Sequence, residues 1–251
     1  MVRVILHGCN GRMGHVVAGI AAADPDIEIV AGVDLGGASD VAFPYYNSVS
    51  DVKEEADVLI DFSNAAAVDG MLAACEQKGI GAVVCTTGLS EEQIANIRSV
   101  AEKIPVLRSA NMSVGINLLM KILKPVAQTL ADAGFDIEIV EKHHNQKLDA
   151  PSGTAIALAD SVNEALDGAY TYTFDRSGRR QKRDPKEIGF SAVRGGTIVG
   201  DHDVIFAGTD EVVTISHTAY SRAIFAKGAV QAAKYIAGKP AALYTMADVI
   251  G

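Results

Sequence analysis

The sequence predicts an α/β fold: a doubly wound parallel sheet into which an α+β domain with a mixed sheet is inserted. Three observations carry this. Short, continuous apolar runs alternate with segments of helical period over residues 1–112. The first run, Val2 to Leu6, leads into a glycine turn and then a helical pattern. From Ser113 the pattern changes: helical stretches are followed by successive strand-like runs with glycine turns between, until a helical pattern resumes at Ser221. These shifts place a first domain at 1–112 and 218–251, and an inserted one at 113–217.

In chain order, Val2 to Leu6 reads as a buried parallel strand. The turn after it is Gly8-Cys9-Asn10-Gly11-Arg12-Met13-Gly14, and Val16, Val17, Ile20 and Ala21 follow at helical spacing. Strand, glycine turn and helix in that order suggest a dinucleotide-binding, Rossmann-like unit. Glycines admit the pyrophosphate to the backbone, and its charge sits on the helix N-terminus. The spacing is GxxGxxG, and glycines also serve ordinary tight turns, so the loop is not decisive by itself. A second strand, Glu28 to Val33, ends at Asp34, about 20 residues past Gly14, where such units place the acid that binds the adenosine ribose. The plainer reading of Asp34 is a strand-end turn residue. Leu35, not arginine, follows it, so nothing adjacent meets a 2′-phosphate, and NADH or the use of both NADH and NADPH is expected.

Strands are expected at 57–62, 81–85 and 105–107. Ser63 and Asn64 are expected to cap a helix carrying Val68, Met71, Leu72 and Cys75, and Ser90 with Gln93 a capping box. Thr86-Thr87-Gly88 lies at a strand's carboxyl end, where open α/β sheets bind ligands. A helix from Ile116 is expected to kink or break at Pro125. Residues 189–193, 203–207 and 211–216 read as successive antiparallel strands. The loop holding Arg176, Arg179, Arg180, Lys182, Arg183 and Lys186 is either a solvated segment or a positive rim that draws in an anion.

The stretch richest in chemistry is Glu141 to Ala155. It follows a strand over 136–140 and holds His143, His144 and Lys147. Pro151 and Ser152 then start a helix, and the N–H groups of Gly153 and Thr154 form a seat for a carboxylate. Histidine passes protons near neutral pH, and lysine holds an anion. Taken singly, each of these residues is more often structural. Adjacent histidines on an extended chain point to opposite sides, so one of the two reaches a given target. HHxxK lacks the i, i+4 histidine pair of a zinc helix, and no metal site is expected.

The chain has 251 residues, is 49% hydrophobic and carries a net charge of −9. That composition is globular, and the charge argues against phosphate-driven nucleic-acid binding. No run of ~18 apolar residues suggests a membrane span. The first strand leaves no room for a signal peptide, and the three cysteines Cys9, Cys75 and Cys85 lack metal-type spacing, so a reducing cytoplasm is expected. Cys9 and Cys85 read as small packing residues in the loops rather than redox sensors.

His143-His144-Asn145-Gln146-Lys147-Leu148-Asp149-Ala150-Pro151-Ser152-Gly153-Thr154-Ala155 resembles the H-H-x-x-K-x-D-A-P-S-G-T-A signature of the 4-hydroxy-tetrahydrodipicolinate (dihydrodipicolinate) reductase family. The resemblance spans essentially the whole chain. Gly8 to Gly14 is similar to that family's glycine loop; Cys85-Thr86-Thr87-Gly88 and the stretch Ser109-Ala110-Asn111-Met112 onward to Asn117 are similar to its other cofactor segments. Cys85 and Met112 depart from the family's usual glycine and phenylalanine. The resemblance implies NAD(P)H-dependent reduction of a cyclic unsaturated imine dicarboxylate to tetrahydrodipicolinate, on the diaminopimelate route to lysine. It implies His143 as proton donor and Lys147 as a catalytic and substrate-binding residue. His144, Gly153 and Thr154 would hold the carboxylates, and a homotetramer would assemble through the second domain. The cofactor would lie on Gly8, Cys9, Asn10, Gly11, Arg12, Met13, Asp34, Cys85, Thr86, Thr87, Ser109, Ala110, Asn111 and Met112. Two competing functions are another small amino-acid or semialdehyde dehydrogenase, which would turn over an aldehyde, and an NAD(H)-sensing protein, in which His143 and Lys147 would be idle.

Overall fold

The structure is a computed structural model that describes residues 1–37 and 41–251. The chain forms two compact units, 1–114 with 223–251, and 115–222.

The first unit is built on seven parallel strands. In chain order its elements are β1 (Val2–His7), α1 (Arg12–Ala22), β2 (Ile27–Val33), β3 (Tyr45–Tyr46), β4 (Val58–Asp61), α2 (Ala65–Lys78), β5 (Gly81–Val84), α3 (Glu91–Ala101) and β6 (Pro105–Arg108). The sheet order is β12-β6-β5-β4-β1-β2-β3, in which β12 (Ala242–Tyr244) comes from the chain's return. β1 shows why the central strands read as unbroken apolar runs. Val4, Ile5 and Leu6 are fully buried. Alternation sends Val4 and Leu6 to one layer with Val17 of α1 and Ala229 of the returning helix, and Ile5 to the other with Leu72 of α2 and Ile97 of α3. Because all strands run parallel, their carboxyl ends, and the loops leaving them, lie on one edge of the sheet.

The expected capping box at Ser90 and Gln93 is present. The cap of α2 is not as expected: Asn64 occupies the position without a side-chain bond, and the Ser63 hydroxyl donates to Asp61 Oδ1 at 2.6 Å. A buried carboxylate draws that hydroxyl away from the helix end.

The second unit contains α4 (Val114–Asp132, from Gly115 onward), β7 (Asp136–His143), α5 (Gly153–Ala165), β8 (Thr171–Thr173), β9 (Glu187–Arg194), β10 (Gly200–Ala207) and β11 (Val212–Ala219). Its mixed sheet has the order β11-β10-β7-β9-β8. The expected run of successive antiparallel strands holds for β10 and β11, which pair antiparallel, and is corrected for β9. β9 pairs in parallel with β7, and β10 lies antiparallel on the far side of β7, so β9 and β10 are not neighbours. β7 is therefore the central strand. Its Ile137 and Ile139 pack with Phe190, Val204 and Phe206 beneath Leu123 of α4 and Leu158 of α5.

α4 runs unbroken through Pro125, so of the expected kink or break the break does not occur. The ring costs one ladder bond, and burial of Leu119, Leu123 and Ala127 on one face outweighs it. After β11, which continues to Ala219 and carries the chain past the expected domain boundary at 217, α6 (Ala223–Ile236), β12 and α7 (Met246–Ile250) complete the first unit. No helix among the described residues is long and apolar enough to cross a membrane.

Candidate active site and cofactor loop

In the first unit the glycine loop leaves the carboxyl end of β1. Gly8 has φ +80°, and a Cβ there would stand 2.5 Å from the Phe62 carbonyl oxygen. A Cβ on Gly14 would stand 2.3 Å from the Gly8 carbonyl oxygen. Both glycines are thus demanded by close backbone approach between loop, helix and the end of β4. Gly11 caps α1 without any side-chain bond, and the first turn carries no acidic residue. An anion such as a pyrophosphate fits this end. Asp34, at the end of β2, accepts from the Asn10 backbone N–H at 3.0 Å, while Asn10 Nδ2 donates to the Gly37 carbonyl at 2.9 Å. The structure therefore brings Gly8, Cys9, Asn10, Gly11, Arg12, Met13 and Asp34 together, with Arg12 and Leu35 exposed.

Cys85, Thr86 and Thr87 leave β5 on the same edge of the sheet, and Ser109, Ala110, Asn111 and Met112 leave β6 there. The Ser109 hydroxyl donates to the Asn111 carbonyl at 2.7 Å, which folds this segment into a tight turn. Sequence reading missed the group that joins the loops. Asp61, fully buried at the end of β4, accepts from Thr86 Oγ1 at 2.7 Å and from Ser63, with His7 Nδ1 2.9 Å away. Burial alone would raise the Asp61 carboxyl, but His7, Ser63 and Thr86 outweigh it and hold the group below the usual carboxylate range.

The cysteines are inert by environment. Burial, then the charge of Asp34, pushes the Cys9 thiol up to about 11, and burial drives Cys75 higher still and Cys85 well above the ordinary thiol range. Ellman's reagent added to the native protein at mildly alkaline pH is expected to label none of the three thiols until denaturant is added. Rapid labelling without denaturant would contradict this.

In the second unit the core-facing side of β7 continues past Ile139 to Glu141 and His143, both buried. His143 Nδ1 lies 2.6 Å from Glu141 Oε2. Arg194, paired opposite His143 on β9, grips Glu141 with both terminal nitrogens at 2.6 and 2.7 Å, and the Ser152 N–H donates to the same carboxylate at 3.0 Å. On the other neighbour, β10, His202 meets the His143 ring edge-on at 5.1 Å between centroids, with its Nε2 3.0 Å from Ser152 Oγ. Ser152 caps α5 as expected, accepting from the Ala155 N–H at 3.2 Å.

The loop after β7 is pinned to the loop after β9 by Gly195 N–H to the His143 carbonyl and by Asn145 N–H to the Gly196 carbonyl. It presents Lys147 Nζ 2.8 Å from Asp149, and His144 Nε2 3.4 Å from Arg222. Lys147, then the Asp149 backbone N–H and last the Gly153 backbone, hold the Asp149 carboxyl below its usual range against partial burial. An internal carboxylate thus already sits on the lysine and helix start that the sequence marks as a carboxylate seat. His143, His144, Lys147, Gly153 and Thr154 fall within one loop-and-helix turn, and Glu141, Arg194 and His202 are the residues beside them to which sequence reading gave no role of their own. Period-two alternation along Ile137, Ile139, Glu141 and His143 is the signal that could have found Glu141.

The positive-rim reading of the 176–186 loop loses half its charge. Arg176 and Arg183 bind Glu138, Arg176 and Arg179 bind Glu187, and Arg183 also reaches Asp136. These arginines tie the loop to β7 and β9.

Burial, then the neighbouring His143 ring, lowers His202 from 6.5 to about 4. Between those values the unfolded chain takes up a proton that the folded chain refuses, so this contribution to stability is lost as pH falls from 6.5 toward 4. Melting curves at neutral pH and at about pH 5 should show a smaller drop in Tm for His202→Gln than for the parent chain; an equal drop would assign the acid sensitivity elsewhere.

The first unit's parallel sheet, with a glycine loop leaving β1 and meeting the start of α1, has the form of a dinucleotide-binding domain of an oxidoreductase. The family model described as dihydrodipicolinate reductase, N-terminus, matches residues 2–112, and that for the C-terminus matches residues 115–250. The chain belongs to this family and is an NAD(P)H-dependent oxidoreductase. It is 51% identical over 250 residues to 4-hydroxy-tetrahydrodipicolinate reductase of Caldanaerobacter subterraneus subsp. tengcongensis, covering 100% of this chain and 98% of that one. It is 46% identical over 246 residues to the enzyme of the same name from Clostridium tetani, covering 98% and 96%. Among solved structures it is similar to dipicolinate-bound dihydrodipicolinate reductase from Paenisporosarcina sp. TG-14, with TM-score 0.81, 25% identity and full coverage of both chains.

Proposed function

We propose that the chain reduces the cyclic unsaturated imine dicarboxylate that gives its family its name, with His143 as proton donor and Lys147 as carboxylate ligand. The observation that carries this is the Glu141–His143 pair set beside Lys147 and the start of α5. The nicotinamide, when bound, supplies the hydride. What the chain supplies is the rest. Lys147 exchanges Asp149 for a substrate carboxylate, and the Gly153 and Thr154 backbone, with His144, receives the second one. His143 delivers a proton to the site where electron density accumulates after hydride arrives, so that negative charge does not build up there.

Residues 1–114 with 223–251 serve as the dinucleotide-binding part and 115–222 as the substrate-binding and oligomerisation part, in a cytoplasmic homotetramer. The pyrophosphate lies along Gly8, Cys9, Asn10, Gly11, Arg12 and Met13, the ribose on Asp34, and the nicotinamide half along Cys85, Thr86, Thr87 and Ser109 to Met112. Asp34 followed by exposed Leu35 favours NADH or use of both nucleotides. That the similar Paenisporosarcina protein binds dipicolinate, a planar ring with two carboxylates, supports the substrate class.

Initial rates of nucleotide oxidation with freshly generated substrate, measured with NADH and with NADPH, test the proposal. Turnover with NADH at least equal to that with NADPH, competitively inhibited by 2,6-pyridinedicarboxylate, is expected. Turnover of an aldehyde alone would reverse it.

A further inference from the structure

Glu141 is 1% exposed, and a lone carboxylate there would be costly. Every direction around it is filled. Arg194 Nη2 donates to Oε1 at 2.6 Å and Nη1 to Oε2 at 2.7 Å, and Ser152 N–H donates to Oε1 at 3.0 Å. A guanidinium fork gripping both oxygens keeps the group ionised. Burial would raise Glu141, yet Arg194, His143 and Ser152 together hold it below the usual carboxylate range. An ionised carboxylate only accepts hydrogen bonds, so the 2.6 Å contact to His143 is a donation from Nδ1–H.

The other ring nitrogen has a different setting. A Cβ on Gly200 would stand 3.0 Å from His143 Nε2, so β10 leaves that nitrogen room by carrying glycine there. The His202 ring, which meets His143 edge-on, is engaged with Ser152 through its own Nε2.

We propose that Glu141, clamped by Arg194, is a positioning residue for the reductase reaction: it holds His143 with a proton on Nδ1, so that Nε2 alone passes the catalytic proton. This rests on the assignment of His143 as proton donor. In the step, the Nε2–H bond of the cationic ring breaks, its electron pair stays on Nε2, and the proton goes to the substrate atom bearing the electron pair. Nδ1–H remains on the ring, bonded to Glu141, and solvent later restores the proton on Nε2. Glu141 itself gains no proton, because Arg194 occupies both of its oxygens.

Neutron diffraction from deuterium-exchanged crystals of the whole chain tests the geometry without any substitution. A deuteron on His143 Nδ1 and none on Glu141 is expected; a bare Nδ1, or a deuteron on Glu141, would overturn the inference. Kinetics test the consequence. Glu141→Gln should lower kcat by roughly 10²-fold, the lower end of what a positioned acid contributes. Its solvent isotope effect should rise, while KM for the nucleotide and binding of 2,6-pyridinedicarboxylate stay at parent values. Full kcat in Glu141→Gln, or a loss confined to ligand binding, would reduce Glu141 to a structural brace and overturn the proposal. Should the variant not fold, the neutron map decides. Undiminished turnover in His143→Ala would instead overturn the underlying assignment, whereas a crippled His143→Ala beside a fully active Glu141→Gln sinks only the positioning role.

Discussion

Replacing His143 by alanine is expected to lower kcat by about 10²- to 10⁴-fold while leaving nucleotide affinity nearly intact. The reason is the placement of the ring. It closes the core-facing side of the central strand β7 and is held through Nδ1 by a buried carboxylate. Alanine removes the proton donor and leaves Glu141 still gripped by Arg194 and Ser152, so the fold should survive. Lys147→Ala behaves differently. Lys147 pairs with Asp149 in a partly exposed loop, so its loss should cost little stability. It should raise KM for the dicarboxylate as well as lower kcat, because a bound anion loses its counter-charge. Steady-state kinetics with both substrates varied separate the two patterns. A His143→Ala enzyme with parent kcat, or a Lys147→Ala enzyme with unchanged KM, would remove these residues from the reaction.

The second large effect is expected at Gly14. A Cβ there would lie 2.3 Å from the Gly8 carbonyl oxygen and 2.6 Å from that of Cys9. Both obstacles are backbone, so the loop or α1 must move. Overpacking of this kind costs about 1–3 kcal/mol. The displaced loop is also the segment proposed to receive the pyrophosphate. Gly14→Ala should therefore weaken nucleotide binding by roughly 10-fold or more, since about 1.4 kcal/mol corresponds to a factor of ten. Its affinity for 2,6-pyridinedicarboxylate should not change, because that ligand is assigned to residues 143–154. Calorimetric titration with each ligand distinguishes a local defect from general unfolding; parent-like nucleotide affinity would contradict the assignment of the loop.

The parallel sheet was legible because Val4, Ile5, Leu6, Leu59 and Ile60 are apolar without interruption, a pattern that only a strand covered on both faces tolerates. The caps at Ser90 and Ser152 were legible because capping chemistry is local. The order of the mixed sheet was not. Whether β9 joins β7 or β10 depends on long-range burial of Phe190 and Val204 against Ile139, which no local pattern records. Pro125 misled for a similar reason: its local penalty is real, but tertiary packing of α4 decides. In the site, His143, His144 and Lys147 stand out by residue type and spacing. Glu141 was hidden as one acid among several on an alternating strand. Arg194, 53 positions away, reaches it only through the β7–β9 pairing. The arginines at 176, 179 and 183 left a positive rim open beside the solvated-loop reading because Asp136, Glu138 and Glu187, which neutralise them, are brought close only by the sheet.

A crystal structure of the chain with NADH and 2,6-pyridinedicarboxylate tests the central claim most directly. Lys147 should be released from Asp149 and bonded to one carboxylate, with the second carboxylate on the Gly153 and Thr154 backbone and His143 Nε2 turned toward the ring. A ring bound elsewhere, with Lys147 still paired to Asp149 and the His143 imidazole facing away, would contradict it.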